Sequence, residues 1–197
     1  MNRFLCVILL TSLAAACSKS ADLPTTQSQL VPDGYTAYII KKGNHYSENN
    51  DNRSIHLNKL KFKAQFDSSC IYKTVKEANM NDINKLYGFS DCNSGHHENS
   101  ARFGWRWNGH GIEIHAYYYI NNVRQSKFLG TVALNEPAAM SITISGNRYL
   151  FELNGKTESM PRNCTNEHAD GYQLYPYFGG DEVAPHDIRI LIKEITE

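Results

Sequence analysis

Residues 140–156 have the sequence MSITISGNRYLFELNGK, and this stretch decides the fold class. Apolar and small polar residues alternate from Met140 to Ile144, which is the pattern of a β-strand with one buried face. Gly146-Asn147 and Asn154-Gly155 then supply residues that tolerate the positive φ of tight hairpin turns. Two further short strands are expected, one between these turns and one after them. The stretch therefore predicts a three-stranded antiparallel meander.

The same alternation recurs on both sides of the meander. Apolar residues take every second position from Leu60 to Phe66 and again from Ile188 to Ile192. Only Glu77–Leu86 favours a helix, and its asparagines make that segment short and rich in turns. Repeated short strands without alternating helices predict an all-β chain, an antiparallel β-sandwich of the jelly-roll class with at most one or two short helices. We assign residues 33–197 to this single domain.

Composition narrows the functional classes. The chain has 197 residues, with 20 basic and 20 acidic side chains and 41% hydrophobic residues. These values are typical of one globular domain and exclude collagen-like, disordered and polytopic membrane classes. The balanced charge argues against a nucleic-acid partner, because such proteins carry a basic patch that neutralises phosphates.

The N-terminus has the pattern of an export signal. Met1–Ala16 contains a basic residue, a short apolar run and small residues before Cys17, and the run is too short to span a membrane. Leu13–Cys17 resembles the lipobox of bacterial lipoproteins, which implies lipidation of Cys17. Ordinary signal cleavage, which leaves Cys17 free, is the alternative. Residues 17–32 are polar and aperiodic, so we expect a flexible tether. The expected location is the cell envelope, at the outer membrane, with membrane contact through the lipid alone.

The strand predicted at Ile112–Ile120 carries the candidate ligand-binding face. Period-two alternation puts an acid, an imidazole and two phenols on one side of this strand, and these groups suit a sugar-binding surface. A hairpin through residues 108–111 would add two arginines, which suit an acidic sugar such as a uronate. The alternatives are a solvated outer face and arginines that only neutralise Glu113. The candidate ligand-binding residues are Arg102, Arg106, Glu113, His115, Tyr117 and Tyr119.

An enzymatic interpretation is weighed beside simple binding. A polysaccharide lyase needs a group that neutralises a carboxylate and groups that move a proton, and Arg106, His115, Tyr117 and Tyr119 have suitable chemistry. The arginine-rich and Gln-Ile-His motifs of alginate lyases have no convincing counterpart here. The spaced acidic pair of a retaining glycosidase is also missing. A binding or accessory role is therefore favoured over catalysis, and a structural role in a surface protein complex is the third hypothesis.

Three cysteines lie in the expected domain, and two of them can pair in an oxidising compartment. Cys92 and Cys164 lie in polar segments, whereas Cys70 adjoins apolar residues. This favours a Cys92–Cys164 disulfide and a buried Cys70 thiol, although sequence does not establish the pairing.

No cofactor is expected, and the sequence gives weak signals for two metals, zinc and calcium. His96-His97 near Cys92 lacks the second ligand pair of a zinc site. Asp181, Glu182 and Asp187 lie in one loop region and offer oxygens for calcium, but no diagnostic spacing supports such a site.

Several segments resemble known families. Residues 142–156 are similar to the central meander of concanavalin-like lectin and glucanase jelly rolls. The segments KLYGFSDC (85–92), SARFGWRW (100–107) and YPYFGGDEVAPHD (175–187) resemble an uncharacterised family of secreted and lipid-anchored proteins of Bacteroidota. The resemblance implies a concanavalin-like fold and an exported protein, and it carries no activity. Together these observations predict a glycan-binding or accessory module of polysaccharide utilisation.

Overall fold

A computed structural model describes residues 30–196. The predicted signal peptide, the lipidation site at Cys17 and most of the tether lie outside these residues. Residues 31–196 belong to one compact unit. Across residues 30–196, no helix has both the length and the apolar character that crossing a bilayer requires.

The described chain consists of strands joined by turns, with two short 3-10 helices at Ser68–Cys70 and Glu77–Asn81. The strands are β1 (Thr36–Ile40), β2 (Ser54–Leu57), β3 (Lys59–Phe66), β4 (Asn84–Ser90), β5 (Ser100–Trp107), β6 (Ile112–Ile120), β7 (Val123–Val132), β8 (Ala138–Ser145), β9 (Arg148–Leu153), β10 (Lys156–Pro161), β11 (Ala169–Leu174) and β12 (Ile188–Glu194).

The strands form two six-stranded antiparallel sheets. The first sheet has the order β1-β12-β3-β8-β9-β10, and the second has the order β2-β11-β4-β5-β6-β7. The expected meander is the β8–β9–β10 edge of the first sheet, with Ile142 opposite Phe151. Its two turns place Gly146 at φ 57° and Gly155 at φ 85°, where residues other than glycine are strained. The all-β, antiparallel prediction is confirmed.

The core lies between the two sheets and is rich in aromatic rings. Phe103 of the second sheet packs edge-on against Phe62 and Phe151 of the first, with centroid distances of 5.7 Å and 5.2 Å. The apolar residues of the alternating segments 60–66 and 188–192 are buried on the inner face. This burial is why the period-two pattern identified the strands correctly.

The predicted helical segment Glu77–Leu86 is wrong in its second half. The 3-10 helix ends at Asn81, and β4 begins at Asn84, whose side chain is buried. The Asn84 amide donates to the Tyr72 hydroxyl (2.9 Å), and its carbonyl accepts from the Gly179 N–H (2.9 Å). Long-range pairing of β4 with β5 therefore outweighs the local helical preference.

A disulfide joins Cys92, just after β4, to Cys164, just after β10, and Cys70 is a buried free thiol. Next to the disulfide, the buried Asp91 carboxylate accepts from Arg162 Nε (2.7 Å) and from the Tyr149 hydroxyl (2.8 Å). These ties anchor the β4–β5 loop to the opposite sheet.

Candidate functional site

The β5–β6 hairpin places the predicted residues on one face of the second sheet. Arg102 lies opposite Tyr117, Gly104 opposite His115, and Arg106 opposite Glu113. Directly opposed residues of an antiparallel pair project to the same side. The hairpin therefore adds the two arginines to the polar stripe of β6, on the side away from the Phe103 core.

Ile83 divides this face into two cavities. Gly104 lies between the two arginines on β5, and a Cβ placed there would overlap the Ile83 side chain. Ile83 therefore occupies the space above the strand at this point. On one side lies a groove of about 1250 Å³, whose lining includes Arg106 and Glu113. On the other side lies a cleft of about 440 Å³, whose lining includes Arg102.

Arg106 and Glu113, which both line the groove, are paired with each other. Arg106 Nε donates to Glu113 Oε2 (2.5 Å), Arg106 Nη1 donates to the Asn81 carbonyl (3.0 Å), and Asn108 donates to Glu113 Oε1 (3.2 Å). Burial alone would raise the pKa of Glu113, but the hydrogen bonds from Arg106 and Asn108 outweigh it and hold the pKa below its usual value. This pairing agrees with the alternative in which Arg106 neutralises Glu113 and does not bind a ligand.

His115 lines neither cavity. The residue is 6% exposed, its ring lies 5.6 Å from the Phe128 ring, and its Nε2 lies 3.3 Å from Glu113 Oε2. Burial and the nearby Arg106 charge lower the pKa of His115, against the opposing effect of Glu113. The structure therefore separates His115 from Tyr117 and Tyr119, which line the cleft with Arg102.

Arg102 is the unusual residue of the cleft. It is 6% exposed, its guanidinium carbon lies 5.3 Å from the Tyr117 ring centroid, and its Nε has no hydrogen-bond partner. No carboxylate of residues 30–196 pairs with it. Burial lowers the pKa of Arg102 to about 10, so the side chain stays charged at neutral pH. A buried charge without a partner is costly, and such groups occur where a ligand completes them.

Lys85 of β4 is a second cation in the cleft. Its Nζ lies 5.6 Å from the Tyr117 centroid and 5.3 Å from the Tyr177 centroid. Burial and repulsion by Arg102 and Arg124 lower the pKa of Lys85 to about 8. Gly179 gives the ammonium its space, because a Cβ at that position would overlap Lys85 Nζ.

The remaining lining is aromatic and uncharged. Within the described residues, no carboxylate lines the cleft, which also contains Tyr46, Tyr175, Tyr177 and Gln173. The Gln173 carbonyl oxygen is buried and has no hydrogen-bond partner. The cleft thus combines two cations, several phenol rings and an unused amide acceptor.

His96 and His97 form one wall of the cleft. His96 Nδ1 lies 2.7 Å from the Tyr172 hydroxyl, and the His97 ring lies 5.4 Å from the Tyr119 ring. Burial, together with the nearby Arg102 and His97, lowers the pKa of His96 to about 4, so this imidazole is neutral at neutral pH.

The residues considered as zinc or calcium ligands have other bonding partners in the described chain. Cys92 is bonded to Cys164, so it offers no thiolate, and these two cysteines with Asp91 are the one group of metal-ligand types that residues 30–196 bring together. Glu182 accepts from the Val75 and Lys76 N–H groups, at 2.7 Å and 2.9 Å. Asp187 instead accepts from the Lys42 N–H (2.9 Å), so the loop carboxylates serve different segments.

Sequence reasoning placed Arg102, Tyr117 and Tyr119 together but missed the rest of the cleft. The local pattern puts Lys85 in a segment that favours a helix, and it offers His96 only as a zinc ligand. Both lie close to Arg102 because β4 pairs with β5, which the local pattern does not reveal. The one usable signal was the aromatic segment Tyr175–Phe178, which supplies Tyr175 and Tyr177.

Comparison with solved structures identifies similar folds. The chain is similar to an alginate lyase from a Chlorella virus, with a TM-score of 0.51 and 13% identity over 81% of this chain and 82% of that chain. The alginate lyase AlyC3 gives a TM-score of 0.52 and 11% identity, covering 81% of this chain and 73% of that chain. The laminarinase catalytic domain of Thermotoga maritima gives a TM-score of 0.50 and 11% identity, covering 85% of this chain and 80% of that chain.

No protein-family model matches the sequence, and no curated protein matches it significantly. The similarity to solved structures therefore concerns the fold alone. It confirms the jelly-roll expectation: the chain has the concanavalin-like β-sandwich that these lyases and the laminarinase share.

Proposed function

We propose that this protein is a cell-envelope lipoprotein that binds an acidic glycan in the cleft lined by Arg102. The unpaired, buried Arg102 guanidinium carries the proposal. A guanidinium presents a planar set of donors that matches a carboxylate, and a ligand carboxylate would supply its missing partner. Lys85 adds a second positive charge. No carboxylate is among the described lining residues, although the Asp82 carboxylate lies close to Gly180 of the lining.

A sugar fits this cleft better than a compact inorganic anion. Tyr46, Tyr119 and Tyr177 offer ring faces together with hydroxyl groups, whereas the Tyr117 ring is buried beneath Arg102 and Lys85. Sugars have the matching combination of apolar ring faces and hydroxyls. Several of the similar structures are named as enzymes of acidic or neutral polysaccharides, which agrees with a glycan ligand.

Eliminative cleavage of an acidic glycan is the second candidate. A lyase must neutralise a carboxylate and move a proton, and the cleft places Arg102 near Tyr117, Tyr119 and the neutral His96. Hydrolysis is less well supported, because the described cleft lacks the two carboxylates of the usual glycosidase mechanism.

The cellular setting belongs to the same proposal. The N-terminal pattern supports export and lipidation at Cys17, and a glycan ligand suits an accessory role in polysaccharide utilisation at the outer membrane. The resemblance to lipid-anchored proteins of Bacteroidota stays a prediction.

Calorimetric titration of the full-length protein tests the proposal. We expect alginate or polygalacturonate to bind and neutral laminarin to bind weakly, and we expect Arg102→Met to abolish the acidic-glycan signal. Arg148→Met, at a half-buried arginine of the other sheet outside the cleft, is the control and should leave binding unchanged. Failure of every acidic glycan to bind, or retained binding in Arg102→Met, would contradict the proposal.

The same samples separate binding from cleavage. Elimination creates an unsaturated sugar that absorbs ultraviolet light, so a rise in absorbance that Tyr117→Phe or Tyr119→Phe removes would favour the lyase. Binding without any change in absorbance or chain length would favour the accessory role.

A further inference from the structure

The edge strand β7 continues the cleft face beyond β6. Arg124 lies directly opposite Tyr119, and Ser126 lies opposite Tyr117. Residues opposed in this way project to the same side of the sheet. Arg124 and Ser126 therefore extend the surface that Tyr117 and Tyr119 begin.

Phe128 ends this extension. It pairs with His115, and the two rings lie 5.6 Å apart. The Phe128 side chain is nevertheless 53% exposed, so one part of the ring is open to solvent. We define the β7 surface as Arg124, Ser126 and Phe128: a cation, a small polar residue and an exposed ring along one side of one strand.

The β7 surface is exposed to solvent. All residues from Val123 to Phe128 are exposed, although a strand in a sandwich normally buries one face. Arg124 has no hydrogen bond or ion pair with any of residues 30–196, and no acidic residue of β7 lies beside it. Its charge is nonetheless felt in the cleft, where it contributes to lowering the pKa of Lys85.

We propose that the β7 surface is a distal subsite that binds a further sugar residue of the glycan held at Arg102. This inference rests on the proposed function and adds a second contact region to it. The Phe128 ring packs against the apolar face of the sugar, and Arg124 contacts an acidic substituent. The small Ser126 side chain between them leaves space for the sugar ring.

The geometry of the sheet supports a glycan that crosses the strands. Neighbouring strands lie about 4.8 Å apart, which is close to the length of one pyranose residue in an extended chain. Arg102, Tyr117 and Ser126 lie opposite one another on β5, β6 and β7. A chain bound at Arg102 and running across β6 therefore reaches the β7 surface with its next residues.

Binding of uronate oligosaccharides of different length tests the subsite. Disaccharides and hexasaccharides prepared from alginate and polygalacturonate are titrated into the full-length protein. We expect Arg124→Ala and Phe128→Ala each to weaken hexasaccharide binding about fivefold, because each removes one charged or aromatic contact. Disaccharide affinity should stay within about twofold, since a short ligand is held at Arg102 alone.

Two residues of the same strand are matched controls. Val123 is 54% exposed but pairs with Ile120, so it faces the other side of the sheet. Lys127 pairs with Ala116 and also faces that side, where it contacts Glu158. Val123→Ala and Lys127→Ala should therefore leave the affinity for both ligand lengths unchanged.

The outcomes distinguish the two proposals. If Arg124→Ala and Phe128→Ala bind the hexasaccharide as tightly as the unaltered protein, or lose disaccharide and hexasaccharide affinity equally, the distal subsite is overturned while binding at Arg102 stands. If Arg102→Met retains hexasaccharide binding, or the unaltered protein binds neither length, the proposed function fails and the subsite fails with it.

Discussion

Two buried arginines of this sandwich have opposite surroundings. Arg162 is fully enclosed, and it donates to the Asp91 carboxylate and to the carbonyl of His168 (2.8 Å). Arg102 is almost as buried but lacks a carboxylate partner among the described residues. The first arrangement holds the fold together, whereas the second leaves an interaction open to a ligand.

Replacing each arginine by methionine should change stability in opposite directions. We expect Arg102→Met to raise the free energy of unfolding by about 1–3 kcal/mol, because an unpaired buried charge is removed. We expect Arg162→Met to lower it by about 3–5 kcal/mol, because Asp91 is left buried without its partner. Denaturant titration measures both values. A loss of stability in Arg102→Met would show that its charge has a structural partner.

The binding of an acidic glycan should depend on pH through Lys85. The free protein holds the Lys85 ammonium with a pKa of about 8, so the charge is present below this pH and is lost above it. Affinity should therefore fall about fivefold as the pH rises from about 7 to about 9, a range in which Arg102, with a pKa of about 10, keeps most of its charge.

Lys85→Met supplies the comparison for this pH profile. We expect this variant to bind more weakly at neutral pH and to lose most of the pH dependence. Lys63→Met, at an exposed lysine on the outer face of β3, should keep the profile of the unaltered protein. An identical profile in Lys85→Met would assign the titration to another group.

For individual residues, the sequence predicted which side chains of the β5–β6 hairpin share a face. Arg102, Tyr117 and Tyr119 share a face because strand periodicity and a short turn determine it. Lys85 and His96 reach the same cleft through the pairing of β4 with β5, and Arg106 is separated from them by Ile83. Both facts depend on contacts between segments that are distant in sequence, which periodicity does not encode.

Among the secondary-structure elements, β5 is shaped by the contact between Gly104 and Ile83. The Ile83 side chain occupies the position that a Cβ on Gly104 would need. Ile83 precedes β4, so this contact fixes the entry of β4 against β5 and separates the cleft from the groove.

Gly104→Ala should disturb this contact. We expect a loss of about 1–3 kcal/mol in the free energy of unfolding, because the added methyl group displaces Ile83. The double variant Gly104→Ala with Ile83→Ala should recover part of that loss, since the space above the strand is then free. Thermal unfolding of the two single variants and the double variant measures the coupling. Strictly additive losses would contradict it.

The elements differ in how well the sequence predicted them. The meander at 140–156 and the strands at 60–66, 112–120 and 188–192 place apolar residues at every second position, so their alternation is clear. The segment 77–86 has no such alternation, because β4 contributes only its first three residues, Asn84–Leu86, to it. From Leu86 to Ser90, β4 is buried on both faces, and its sequence gives no period-two signal.

For the whole molecule, the fold class followed from the repetition of short strands, but the order of strands within each sheet did not. The second sheet combines β2 and β11 with β4–β7. This order depends on which long connections cross the sandwich, and several orders satisfy the same alternation. The strand order brings together the strands β4, β5, β6 and β11, whose residues line the cleft.

The proposed lipid anchor is tested on the whole chain in its cell. We expect Cys17→Ser to move the protein from the membrane fraction to the soluble fraction, because the thiol that would carry the lipid is removed. Cys6→Ser, in the apolar run of the predicted signal, is the control and should leave the protein in the membrane fraction. If Cys17→Ser stays in the membrane fraction, as Cys6→Ser and the unaltered protein do, lipidation at Cys17 is contradicted.

The distribution of charge in this neutral chain has a kinetic consequence. Basic and acidic residues are equal in number, yet Lys85 and Arg102 line a cleft without a described carboxylate, so the acidic excess lies elsewhere in the chain. Such a molecule has a dipole, and the field of an anionic polymer turns the positive side toward it before contact. Capture should then be fast at low ionic strength and slow as salt screens the field, while the rate of release changes little.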